Sequence, residues 1–170
     1  GTFVMGRHDT PYKIATGKYD IFGDTIGDYN LGRTGVSVIE NTHDHRSPNA
    51  IAYISPSFSG LTIAAAVVAT NSAANLNSGD AMDALSIAAM YANGPLTVDL
   101  AYQDVKAVDN QGLKLGVGYT FGDTKLGVVY EETDGNVVRD GDSWLVNVVH
   151  SMGPIALKAS YGSVDANSIE

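Results

Sequence analysis

The sequence predicts an all-β chain that crosses a membrane as an antiparallel β-barrel. Three observations carry this. Apolar residues recur at every second position over stretches of about ten residues, the pattern of strands that cross a bilayer at a tilt. Tight turns alternate with longer polar connections, so the two ends of the sheet differ. The most apolar face of most strands ends in an aromatic near a tight turn (Tyr53, Tyr91, Tyr119, Tyr161) or begins with one near a loop (Trp144), where interfacial aromatic girdles sit.

Taken in order, Thr2 to Arg7 reads as a strand with ambiguous faces: Phe3, Met5 and Arg7 on one side, Val4 and Gly6 on the other. Lys18 to Arg46 then shows no usable period. A loop of that length inside a β chain is uncommon and is usually functional or disordered. Its Tyr19, Ile21, Phe22, Ile26 and Tyr29 give it something to pack with, which favours function. Pro48 to Ser55 alternates, with Asn49, Ile51 and Tyr53 opposed by Arg46, Ala50 and Ala52. Ser55 to Gly60 is a turn by its Pro and Gly content.

Six more apolar faces follow: Leu61-Ile63-Ala65-Val67, Leu85-Ile87-Ala89-Tyr91, Leu96-Val98-Leu100-Tyr102, Leu113-Leu115-Val117-Tyr119-Phe121, Leu126-Val128-Tyr130 and Trp144-Val146-Val148-His150. Ile155-Leu157-Ala159-Tyr161 is the last, for about nine strands in all. Polar loops are expected over Thr70 to Asp83, Asp104 to Gln111 and the acidic Glu132 to Asp142. Asn93-Gly94-Pro95, Gly122-Asp123-Thr124 and Ser151 to Pro154 are tight turns.

Composition sets bounds. A length of 170 residues suits one domain. Zero cysteines exclude disulfides and cysteine-ligated metal centres. A net charge of -9 argues against nucleic acid as a partner, because phosphate binding needs clustered Lys and Arg. No apolar run approaches the roughly 18 residues of a transmembrane helix. The chain starts at Gly1 with no signal segment and stops after a strand pattern, so an internal piece of a longer protein is expected.

The faces opposite the apolar ones separate membrane from soluble architectures. They mix Gly, Ala, Ser and Thr with Asp99, Lys114, Lys125, Glu131 and Lys158, which suits the wet lumen of a wide barrel. A soluble β-sandwich, acting as a binding or adhesion domain, would instead put its large apolar face inside; it is the alternative from another class.

Several blocks resemble the general porins of the Gram-negative outer membrane, in particular the β-proteobacterial type. Gly6-Arg7-His8-Asp9-Thr10-Pro11 is similar to the strand end before the pore loop of that family. Asp20-Ile21-Phe22-Gly23-Asp24 is similar to the loop's acidic tip. Arg46-Ser47-Pro48-Asn49-Ala50-Ile51-Ala52-Tyr53-Ile54-Ser55-Pro56, with Phe58 and Gly60-Leu61, resembles the next strand and turn and is the most specific block. The resemblance covers essentially the whole chain as a partial barrel domain, residues 1–170.

It implies a closed barrel of about sixteen strands, assembled as a homotrimer in outer-membrane lipid and passing ions and small hydrophilic solutes without catalysis or cofactor. Lys18 to Arg46 becomes the loop that folds inward and constricts the channel. Asp20, Phe22, Gly23, Asp24 and Asp28 would form the loop side, and Arg7, Arg46, Lys114, Lys125 and Lys158 the pore wall. Opposed charges there would filter solutes by size and charge. A solute-specific channel is the alternative within transport. For the loop acids the bland account is local Asx turns; for the lysines, that they keep the lumen wet. Unpaired strand edges are not viable in lipid, so the working unit is the full chain.

Two enzyme-like features are weaker. His43 and His45 are spaced for one strand face but lack a third metal ligand in evident register. His150-Ser151 with Asp142 suggests a hydrolytic set, yet nothing supplies a nucleophile with an oriented base. The long loop at Thr70 to Asp83 is a further candidate surface for phage or antibody.

Overall fold

In a computed structural model of the chain, residues 1–30, 38–39, 43–44, 46–69, 82–106, 109–135 and 140–167 are described. His45 and positions 70–81 of the expected long loop lie outside them. Nine strands follow one another: β1 (Thr2–Asp9), β2 (Arg46–Ile54), β3 (Leu61–Val68), β4 (Ala84–Asn93), β5 (Leu96–Val105), β6 (Asn110–Phe121), β7 (Thr124–Gly135), β8 (Asp140–Met152) and β9 (Ile155–Asn167). Each pairs antiparallel with the next in a single sheet of order β1 to β9, with β1 and β9 as its edges. Every strand expected from period two is present.

Burial is inverted relative to a protein that folds in water. Along β6, Asn110, Gly112, Lys114, Gly116 and Gly118 are buried while Leu113, Leu115, Val117, Tyr119 and Phe121 are exposed. The same holds from β2 to β8, with Ile51, Ile63, Ile87 and Leu100 among the exposed residues, whereas the edge strands β1 and β9 have no buried face. An apolar surface this continuous is not tolerated by a soluble monomer. It belongs against lipid, and the sandwich alternative fails on it. The connections at one end are tight: Gly94, Gly122 and Gly153 stand at the first central position of two-residue turns with φ of 57°, 56° and 59°. That position needs a positive φ when the turn follows the strands' twist.

Two expectations are corrected, and one further element is found. The acidic stretch from Glu132 to Asp142 is mostly strand: β7 runs on to Gly135, β8 begins at Asp140, and Glu132 faces Asp142 across the pair. Strands continue past the apolar band into water, where charge no longer opposes them. The alternation of β2 is broken, because its pairing with β1 shifts between Gly6 and His8 and Asn49 has a φ of 53°. This bulge puts Ser47, not Arg46, in phase with the buried Ala50 and Ala52. The further element is a six-residue helix, α1 (Pro11–Thr16), followed by a 3-10 turn (Gly17–Tyr19), at the start of the connection from β1 to β2. The signal was there: Thr10 caps the helix by accepting from the Lys13 amide at 3.4 Å, and Pro11 occupies the first turn.

Candidate functional site

α1 and the segment after it lie on the buried face of the sheet, against β4, β5 and β6. Small wall residues let them approach: Tyr12 and Ala15 pack on Ala88 and Ala101, with Met90 beside them. Farther on, Tyr19, Tyr29 and Ile39 pack on Val129 and Leu145. Polar groups then fix the position. Tyr12 donates from its amide to Ser86 Oγ at 3.0 Å and from its hydroxyl to Glu131 Oε1 at 2.9 Å. Lys114 is fully buried, ion-paired to Asp44 and 4.2 Å from the centre of the Tyr12 ring. His43 Nε2 is 2.7 Å from Asn110 Oδ1, and Gln103 donates to the His43 carbonyl at 3.0 Å. Charges buried this way stay only because each has a partner.

A second anchor lies at the 3-10 turn. Lys18 Nζ is 2.7 Å from an oxygen of the fully buried Asp99. The Tyr19 hydroxyl donates to Asp99 Oδ2 at 2.6 Å and stands 3.0 Å from Thr97 Oγ1, while Asn147 donates to the Tyr19 carbonyl at 2.7 Å. Burial, and then the Asp99 carboxylate, push the Tyr19 hydroxyl pKa well up, so it stays a donor.

The tip beyond Tyr19 is built differently. Asp20 accepts from the Phe22 amide at 3.2 Å, and Asp28 accepts from the amides of Asp24 at 3.0 Å and Asn30 at 2.9 Å. Gly27 lies against the Phe22 ring, Gly23 beside Asp20, and Asp24 takes a left-handed backbone at φ 61°. Ile26 is 99% exposed, so not all of the loop's apolar residues pack as expected. Asp20, Asp24 and Asp28 converge with Lys13, Gly23 and Asp44 on a cavity of about 170 Å³. Burial, and then the charge of Asp28, raise the Asp20 carboxyl pKa to about 6. Asp20 and Asp28 therefore make Asx turns, and all three acids line one hollow.

The wall cations divide. Lys114 belongs to the buried anchor rather than to open lumen. Lys158 is exposed and ties the tip to β9 by donating to the Ile21 carbonyl at 2.8 Å. Lys125 is exposed on the inward parity. Arg46 is exposed at the mouth of β2, 3.7 Å from Asp9 and 3.3 Å from the carbonyl of Arg7, which is itself exposed. Among the described residues no three His, Cys, Asp or Glu side chains come together as a metal site. His43 instead docks the loop. Asp142 and His150 sit near opposite ends of β8, roughly 26 Å apart at a strand's rise, and His150 Nδ1 meets Thr124 Oγ1 at 2.8 Å. Sequence reasoning missed Tyr12, Asp44 and Asn147, whose roles depend on partners far away in the chain.

Comparison with known proteins agrees with this architecture. The fold is similar to that of an anion-selective porin from Comamonas acidovorans, with a TM-score of 0.73 at 20% identity over 96% of this chain and 53% of that one. An outer membrane porin protein of Bordetella pertussis is 29% identical over 154 residues, covering 78% of this chain and 38% of that protein. The chain thus spans well under two thirds of the relatives it matches. The model of the Gram-negative porin family matches residues 1–170. With its lipid-facing outer surface, its small-residue inner wall and a loop held against that wall, the chain belongs to the Gram-negative porin family of the outer membrane.

Proposed function

We propose that the full-length protein is a general diffusion channel, a trimer through which ions and small hydrophilic solutes pass passively, without catalysis or cofactor. The supporting observation is the docked loop. A segment anchored on the inward face by the buried Lys114–Asp44 pair and by Lys18 on the buried Asp99 takes up lumen cross-section and holds an acidic tip there. Residues 18–46 act as the constriction. Asp20, Asp24 and Asp28, with Phe22 and Gly23 shaping the turn, set the charge on the loop side. Arg46 and Arg7 at the mouth, and Lys125 and Lys158 along the wall, supply the opposing charge. Solutes are then sorted by size and by sign.

Full-length protein, refolded in detergent and added to a planar bilayer, is expected to give large ohmic steps in groups of three. Absence of steps from correctly folded protein overturns the channel reading. Arg46→Ala is expected to shift the reversal potential at unchanged trimer stability; a reversal potential equal to wild type removes Arg46 from the filter.

A further inference from the structure

We propose that Tyr19 is the positioning residue that sets how far the constriction loop stands off the barrel wall, and so the size limit of the channel. This rests on the reading of residues 18–46 as the constriction. Two neighbouring rows of the inward face carry the inference. Cross-strand pairing lines up Thr97, Gly118, Gly127 and Asn147 across β5 to β8, and next to them Asp99, Gly116, Val129 and Leu145. The polar residues stand at the ends of the first row and the glycines at its centre. Tyr19 is held at both ends: its hydroxyl lies with Thr97 and Asp99, and its carbonyl accepts from Asn147.

Its ring fills the space the missing side chains leave. A Cβ on Gly116 would overlap the ring, one on Gly118 would lie 2.8 Å from Cε1, and one on Gly127 3.0 Å from Cδ1. None of the three has the positive φ that would itself demand glycine. In a strand, glycine of this kind marks a close approach of another group. The loop therefore sits as deep as a ring on bare backbone allows. Closely packed interiors transmit such a change rather than absorb it, so any side chain added beneath the ring lifts the loop into the lumen.

The test uses the full-length protein in planar bilayers and in liposomes swelling in neutral oligosaccharides of graded size. Gly116→Ala is expected to lower the conductance step and to exclude the larger sugars that wild type admits. In a Tyr19→Ala background, where no ring remains to be lifted, the same substitution is expected to change neither readout. Gly116→Ala with wild-type conductance and sugar limit overturns the proposal. So does an equal drop in both backgrounds, because the effect then bypasses Tyr19. If Gly116→Ala does not fold, Gly127→Ala, with its milder approach, carries the same comparison. A merely structural role would alter heat stability and leave the sugar limit alone. Wild-type protein that folds but forms no channel refutes the constriction reading instead, which keeps the two failures distinct.

Discussion

The two faces of β6 and β7 obey opposite rules. Outward, Leu115, Val117, Val128 and Tyr130 stand exposed and need no partner other than lipid. Inward, Lys114 and Glu131 face each other across the pair and are fully buried, each tied to what lies above: Lys114 to Asp44 of the loop, Glu131 to Tyr12 of α1. Hydrophobic burial within the chain is found on that inward face, in the small clusters around Tyr12 and Tyr19, and does not by itself fix position there. What specifies the inward face is paired charge and the absence of side chains. The outward face is specified only by what it must exclude.

That contrast can be broken from either side. Lys114→Met leaves Asp44 buried without its cation and is expected to cost about 3–5 kcal/mol of loop docking. It should show as faster protease cleavage of the loop in folded full-length protein, and pairing it with Asp44→Asn should recover most of the loss. On the outer face, Val128→Arg puts charge into lipid at mid-strand and is expected to cost about 2–4 kcal/mol, read as a lowered urea midpoint for refolding into detergent or lipid. An unchanged midpoint would remove that face from the bilayer.

The tip sharpens the comparison by acidity. Asp20 titrates near pH 6 rather than at its ordinary 3.8. A raised carboxyl pKa means that ionisation works against the docked tip. That penalty is absent below pH 3.8 and complete above about pH 6, so the tip tightens and loses a negative charge as pH falls through this window. Reversal potentials in a salt gradient are expected to move toward anions between pH 7 and 5, and Asp20→Asn to remove that step. The smallest effect is expected from Asp24→Asn. Its exposed side chain should leave stability within about 0.5 kcal/mol and move selectivity only slightly.

Much of this organisation is legible in the sequence because lipid enforces it locally. A strand in a bilayer must alternate, so Leu113 to Phe121 reveals both its structure and its outward face. The tip was legible as an acidic, Gly-bearing turn. Hidden features are those whose cause lies elsewhere in the chain. Tyr19 and Asp99 are 80 positions apart, and nothing near Gly116 announces an aromatic ring. Six helical residues are too few for a hydrophobic period, so α1 showed only in its Thr10-Pro11 start. The bulge at Asn49 takes a backbone conformation that period two cannot signal, and it moved Arg46 out of its expected phase. The extensions of β7 and β8 were lost because charge there reads as loop, although beyond the apolar band a strand carries charge freely.

The glycine seat under Tyr19 also constrains how this protein can diverge. A mutation that gives position 116 a side chain narrows the passage while residue 19 keeps its ring, whereas losing the ring first leaves a hollow that a larger wall residue can later fill. The two positions should therefore drift as a pair among descendants. The path open to them runs first through a small residue at 19 and a looser channel, and only afterwards through a bulkier wall.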